Sequence, residues 1–467
     1  MKYISTRGAA PALGFEDVLL TGLARDGGLY LPEQWPTLTR EEITALAGQS
    51  YEDVAVRIMK PYVGGEIPDA ELAAIVADAY ATFNNRVVTP LVQVGPSDWI
   101  LELFHGPTLA FKDVAMQVLS RLMDRALTRR KRTATIVGAT SGDTGGAAIE
   151  AFRGRETIDI FMLFPEGRVS DVQRRQMTTP TEANVHAIAV KGTFDDCQNI
   201  VKALFNDLPF RDRLGLAGVN SINWARLMAQ IVYYFTSAVA IGAPGRTVSF
   251  AVPTGNFGDV LAGYAAKRMG LPIDRLVIAT NVNDILTRML ETGRYESREV
   301  AATYSPSMDI QISSNFERLL FELTGRNADR VNGLMRDLSE RGGFALTQGE
   351  HGQLTEDFDA ERTDEAATLA MIRTLEAETG YLADPHTAVA VSAARRVARR
   401  TDVPMIALST AHPAKFPDAI RKAVGRAPAE PEVVTRQRTL AERVTVLPND
   451  VAAIARHVGE HARAGRV

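Results

Sequence analysis

From residue 99 onward the chain repeats one pattern: a short apolar run, a turn rich in glycine and hydroxyl side chains, then an amphipathic stretch. The runs are WILELF at 99–104, TATIV at 133–137, IDIFMLF at 158–164, VHAIAV at 185–190, TVSFAV at 247–252, LVIAT at 276–280 and PMIAL at 404–408. None sustains the polar–apolar alternation of a strand with one wet face, so each has to be covered on both sides. Strands of this kind alternating with helices require right-handed crossovers and largely parallel sheets with helices on both faces. The pattern therefore predicts an α/β protein built on parallel sheets.

The segments between the runs read as helices. After Lys112, apolar residues fall at Ala115, Met116, Val118, Leu119, Leu122, Met123, Ala126 and Leu127, which is helical spacing. The basic run Arg129-Arg130-Lys131-Arg132 closes that helix, where cations suit the C-terminal end. IGAPGRT at 241–247 is a candidate crossing between two lobes, and APAEPE at 427–432 a linker to a last helix starting near Asn449 or Asp450. Residues 1–95 mix short helical patterns with turn-rich pieces. The expected division is 1–95, 96–245 and 246–467.

Charge and cysteine content remove some classes of function. Net charge is −4, with 52 basic and 56 acidic side chains, which argues against a nucleic-acid binder. The longest apolar stretch, IVYYFTSAVAIGAP, is shorter than the roughly 20 residues of a spanning helix, so no membrane role is expected. MKYISTRG has no signal-peptide core. The single cysteine, Cys197, excludes an intramolecular disulfide and reads as a small buried residue in a reducing compartment. A cytoplasmic protein is expected. The histidines lack metal spacing, so no metal is expected.

In open α/β sheets ligands bind beyond the carboxyl ends of the strands. After TATIV comes GATSGDTGGAA, whose helix-start amides and the hydroxyls of Thr140, Ser141 and Thr144 would cradle a carboxylate or phosphate. After TVSFAV comes PTGNFGDV, a second strand–glycine loop–helix, with Gly255 and Gly258 allowing close approach to an anion. After PMIAL come Ser409 and Thr410. After WILELF comes HGPTLAFKDVA, which sets Lys112, one of only nine lysines, inside an apolar segment. Neither glycine loop is a Walker A or a dinucleotide fingerprint. Together the four strand ends suit a cofactor with a phosphate, a polar ring atom and an aldehyde. Pyridoxal phosphate has all three, and an apolar setting would keep the lysine amine free to react.

HGPTLAFKD, ATSGDTG, PTGNFGD and STAHPAKF also resemble the cofactor segments of the threonine synthases, pyridoxal-phosphate enzymes of the tryptophan-synthase-β fold type. YISTRG, FEDVLLTGLARDGGLYLPEQWP and NSINWARLMAQIVYYF are similar to further segments of the longer-chain branch, so the resemblance spans nearly the whole chain. It implies two parallel-sheet lobes of fold type II plus an N-terminal α+β domain, with monomer or homodimer left open. It implies a carbon–oxygen lyase that converts O-phospho-L-homoserine and water to L-threonine and phosphate, the last step of threonine biosynthesis.

Carried over by position, Lys112 takes the Schiff-base place and moves protons. Gly255, Asn256, Phe257, Gly258 and Asp259 take the cofactor phosphate, with the Asp259 side chain facing away. Thr410 meets the pyridine nitrogen. Thr140, Ser141 and Thr144 receive the substrate carboxylate, and Asn220, Ser221 and Arg226 its phosphate. Asp143 stands beside the cofactor where many relatives of the fold have Asn, and an ionised Asp cannot donate a hydrogen bond. His105, His386 and the segment DIQISSNFER at 309–318 receive no role. A lyase or dehydratase on the same scaffold, releasing a keto acid, and a non-catalytic binder remain the alternatives.

Overall fold

The computed structural model describes residues 1–398 and 400–464. The N-terminal region pairs β1 (Tyr3–Ser5) with β2 (Tyr30–Pro32) antiparallel and packs helices Phe15–Thr21, Arg40–Thr44, Tyr51–Val63 and Asp69–Tyr80 around them. Tyr3, Phe15 and Tyr62 are buried there; Tyr3 and Tyr62 pack at a tilt against Trp224, which starts the helix Trp224–Ala240, and Phe15 packs on Tyr3.

All seven apolar runs are strands, in two sheets. Strands β3 (Leu91–Gln93), β4 (Asp98–Glu102), β9 (Val248–Pro253), β10 (Ile273–Thr280), β13 (Phe358–Arg362) and β14 (Met405–Ser409) form a sheet in the order β13-β10-β9-β14-β4-β3. It is parallel except for β3 at its edge. Strands β5 (Ala134–Ala139), β6 (Ile158–Pro165), β7 (Val185–Lys191), β8 (Leu216–Ala217) and β15 (Thr445–Pro448) form an all-parallel sheet ordered β15-β7-β6-β5-β8. Every residue of β6 and β9 is buried, as unbroken apolar runs require. A two-stranded antiparallel sheet, β11 (Arg294–Glu296) with β12 (Gly343–Ala345), lies apart.

The sheets do not follow the contiguous division at 96–245 and 246–467. β4 inserts beside β14 in the sheet of the later residues, and β15 joins the earlier sheet at β7. An apolar run announces that a strand is buried but carries no mark of which strand, some 300 positions away, lies beside it. The crossing of β4 brings Lys112, ten residues after its end, to the carboxyl end of β14.

The helix Lys112–Arg130 is buried from Lys112 through Met123 and packs on Trp224–Ala240, which itself packs on Gly258–Arg268. Its basic end is anchored: Arg129 and Arg130 pair with Glu16, Arg130 also with Asp17, and Lys131 ends the helix in the left-handed region at φ 51. The last helix, Val451–His461, is capped by Asp450, whose carboxylate accepts from the Ala453 amide at 2.7 Å.

Candidate active site

Lys112 is the first residue of its helix, 7 % exposed. The turn before it is set by Asp113, which folds back to accept from the amide and the hydroxyl of Thr108 at 2.8 and 2.7 Å. A Cβ at Gly106 would lie 2.4 Å from the Asp113 Cβ, so this return needs glycine there. The Phe111 amide donates to the Thr410 carbonyl at 2.8 Å and the His412 amide to that of Leu109, laying residues 409–412 alongside the lysine. Burial pushes the Lys112 amine down to about 8; Asp143 opposes this, and the cations Lys415 and Arg226 add to it. The positive end of the helix disfavours an ammonium there as well.

Asp143 faces Lys112 at 3.9 Å, and its other oxygen accepts from Lys415 at 2.7 Å and from Gln173 at 2.9 Å. Burial alone would raise this carboxyl; Lys415, Lys112 and the Gln173 hydrogen bond hold it well below the usual carboxylate range. Lys415 is fully buried and donates also to the Thr108 carbonyl at 2.8 Å. The sequence reading missed Lys415, although it lies inside STAHPAKF and is another of the nine lysines. A lysine in an apolar segment was the signal that marked Lys112 and applied equally here.

In the same loop the Thr140 hydroxyl accepts from the amides of Gly142 and Gly145, both at 2.9 Å, and so shapes the turn. Gly142 holds φ 146 with Gln173 packed where a Cβ would stand. Ser141 is exposed and Thr144 half-buried, both at the start of the helix Asp143–Phe152.

The second glycine loop leads into the helix Gly258–Arg268 through Phe257, which is buried in the left-handed region at φ 63. Among the described residues, the amides of Gly255, Asn256 and Phe257 meet no protein acceptor, and they adjoin the open amides of a helix start. The Asp259 carboxylate turns away from this loop to the hydroxyls of Tyr233 and Tyr234. Burial raises it to about 6 despite those two hydrogen bonds. A Cβ at Gly255 would lie 2.5 Å from the Ser307 carbonyl oxygen. Main chain is thus as close as it can come, which suits a cradle for a phosphate.

Asn220 is exposed, Ser221 half-buried and Arg226 buried. Arg226 donates to the Val219 carbonyl at 3.1 Å, and no carboxylate among the described residues lies within 4 Å of it. Burial lowers its guanidinium to about 10. Thr410 is buried at the end of β14; beside it Ser409 bonds with Thr387 at 2.8 Å.

His386 is held in the fold: Nδ1 bonds to Asp384 at 2.7 Å and Nε2 accepts from the Ser307 amide at 3.3 Å. His105 bridges Asn84 and Glu102. Cys197 is buried among apolar side chains, and burial raises its thiol to about 11, the opposite of a nucleophile. No cluster that could hold a metal occurs among the described residues, and none of their helices is long and apolar enough to cross a membrane.

Comparison with known proteins gives the family. Residues 2–80 match the model for the threonine synthase N terminus, 86–407 that for pyridoxal-phosphate-dependent enzymes, and 387–458 that for the threonine synthase C-terminal region. The chain is 50% identical over 467 residues to a threonine synthase of Pseudomonas aeruginosa, covering 100% of both. It superposes on the crystal structure of PLP-bound threonine synthase from Brucella melitensis with a TM-score of 0.98 at 58% identity, covering 99% of this chain and 100% of that one. The yeast threonine synthase structure gives 0.95 at 41% identity, covering 98% of each.

Proposed function

This chain belongs to the threonine synthase family, and we propose that it converts O-phospho-L-homoserine and water to L-threonine and phosphate with pyridoxal 5′-phosphate. The observation that carries the reading is a charge imbalance. Lys112, Lys415 and Arg226 are all buried, and among the described residues Asp143 is the one carboxylate within 4 Å of any of the three. Such a pocket calls for anionic ligands. A phosphorylated cofactor and a substrate with both a carboxylate and a phosphate answer it.

When bound, the cofactor ring takes up the negative charge left as protons are removed beside the substrate amine. Everything else falls to the chain. The Lys112 amine, lowered by burial from the ordinary lysine range to about 8, releases its proton far more readily than a free lysine, and takes and returns protons at the α- and β-carbons. The main chain of Gly255, Asn256, Phe257, Gly258 and Asp259 holds the cofactor phosphate. The Thr410 hydroxyl meets the pyridine nitrogen. Asp143, kept ionised by Lys415, presents an acceptor beside Lys112. Thr140, Ser141 and Thr144 take the substrate carboxylate, with the Thr140 hydroxyl acting first on its own loop. Asn220, Ser221 and Arg226 take the substrate phosphate. Phosphate leaves the γ-carbon and water adds at the β-carbon, so atoms balance without a further reactant.

The test is a visible spectrum of protein supplied with pyridoxal phosphate, then addition of O-phosphohomoserine with threonine, phosphate and 2-oxobutyrate quantified. The expected result is a visible band lost in Lys112→Ala, with threonine and phosphate formed one for one. Mainly 2-oxobutyrate would move the function to a lyase releasing a keto acid. No band would remove the catalytic reading.

A further inference from the structure

Segment 309–318, which the sequence reading left without a role, sits between three parts of the molecule. Arg318 is 1 % exposed, and among the described residues no carboxylate lies within 4 Å of its guanidinium. Its Nε donates to the Tyr30 carbonyl of the N-terminal region at 2.8 Å, and one Nη to the Ile222 carbonyl at 2.6 Å. The other Nη donates to the side-chain oxygen of Asn315. The nitrogen of that same amide donates to the carbonyls of Ser221 and Asn256, each at 3.1 Å, and the Asn315 backbone amide also reaches Asn256. Ser313 completes the set by donating to the Gly255 carbonyl.

We propose that Arg318, acting through Asn315, is a positioning residue that fixes the loop of Ser221 against the loop of Gly255 and Asn256 and ties both to the N-terminal domain. This rests on the roles assigned above, in which the first loop takes the substrate phosphate and the second the cofactor phosphate. The chemistry explains why arginine stands here. Three acceptors on three different segments must be met from one buried point, and the planar fork supplies donors in fixed directions where lysine would supply one nitrogen. Both loops are met through carbonyls. Each loop therefore keeps its amides and side chains free for anions while its opposite edge is held. The N-terminal domain then acts on the reaction without a side chain in the site: its β2 carbonyl is one of the three fixed points.

The neighbouring residue separates this role from plain stability. Glu317, on the same helix Phe316–Leu323, accepts from the Thr6 hydroxyl at 2.6 Å and from Arg7 at 3.2 and 3.1 Å, and touches neither loop. Both contacts join the helix to the N-terminal domain, but only Arg318 continues to the phosphate loops.

The experiment compares Arg318→Met, Arg318→Lys, Asn315→Ala and Glu317→Gln with the unmodified protein. Measured are the pyridoxal-phosphate dissociation constant of the apoprotein by fluorescence, KM and kcat with O-phosphohomoserine, and the thermal midpoint. Arg318→Met and Asn315→Ala are expected to weaken cofactor binding about tenfold and raise KM about tenfold, with kcat falling less; Arg318→Lys falls between. Glu317→Gln is expected to lower the midpoint and leave KM within twofold. Asn315→Ala keeps the test open if Arg318→Met fails to fold. KM and cofactor binding within twofold of the unmodified protein in Asn315→Ala or a folded Arg318→Met would overturn the proposal. So would a KM rise in Glu317→Gln equal to that of Arg318→Met, which would mean diffuse loosening of the interface. Unmodified protein that binds pyridoxal phosphate but makes no threonine would fail the functional reading instead, while the cofactor constants still report on Arg318.

Discussion

Replacing Lys415 with methionine tests the electrostatic account of the site, because the side chain keeps its length and loses its charge. Lys415 and Lys112 contact the two oxygens of one carboxyl group, at 2.7 and 3.9 Å. Their nitrogens therefore lie no more than about 9 Å apart, the two contacts plus the span of the carboxyl. At an effective dielectric of about 20 the repulsion over that distance is about 1.8 kcal/mol or more. A unit of pKa corresponds to about 1.4 kcal/mol, so removing Lys415 should raise the Lys112 amine by about one unit from its value of about 8. The attraction of Asp143, left with one ammonium partner, works in the same direction. The rate of Lys112 acetylation in the apoprotein, followed by peptide mass spectrometry across pH 6 to 11, reads this directly. A midpoint that stays in place or falls would refute the charge-sharing argument. Stability offers an independent check. Asp143→Asn keeps a side-chain oxygen that can accept from Lys415 but removes the only carboxylate, among the described residues, within 4 Å of that buried ammonium, a loss of about 3–5 kcal/mol. Lys415→Met should lose less, because Asp143 keeps Lys112 and Gln173. The double variant should then be more stable than the two losses added together predict, by about 0.5–3 kcal/mol in urea unfolding.

Three further predictions follow from other parts of the fold. Gly255→Ala places a methyl 2.5 Å from the Ser307 carbonyl oxygen, so the loop must shift, and the apoprotein should bind pyridoxal phosphate at least tenfold more weakly; unchanged binding in a fluorescence titration would mean that this loop does not hold the phosphate. Tyr233→Phe removes a hydrogen bond to the buried Asp259 carboxylate and should cost about 1.5–3 kcal/mol in urea unfolding, whereas a neutral result would mean that Tyr234 alone satisfies it. His186 stacks on Phe161 at 4.2 Å beside His457 and His461 of the last helix; burial, with the nearby histidines and arginines, lowers it to about 4. The unfolded chain thus takes up this proton from about pH 6.5 downward and the folded chain only near 4, so stability is complete above 6.5 and declines between those values. His186→Phe should flatten that decline in thermal midpoints measured from pH 4 to 7, and an unchanged slope would assign the acid sensitivity elsewhere.

Legibility in the sequence followed the range over which each feature is determined. The seven apolar runs became strands because composition over a few residues settles that both faces are covered. The glycine loops at 138–148 and 253–260 were readable for the same reason, since a positive φ or a close main-chain approach is a demand made at one position. β8, β13 and β15 escaped notice: β8 spans two residues, and β13 and β15 are only half-covered edge strands whose identity comes from the sheet they join. Lys415 escaped for a subtler reason. Sequence logic looked for one lysine to meet an aldehyde, and having found Lys112 it had no vacancy for another. The need for a second cation arises only once Asp143 is seen to be buried, 3.9 Å from an amine that must give up its own charge. One negative charge facing an amine that works as a base would hold that amine protonated. A second, permanently engaged cation on the same carboxylate removes the conflict. Asp143 and the lysine of STAHPAKF therefore work as one unit, written 272 residues apart. A single sequence can reveal such a pair only to a reader who asks of every buried charge what neutralises it.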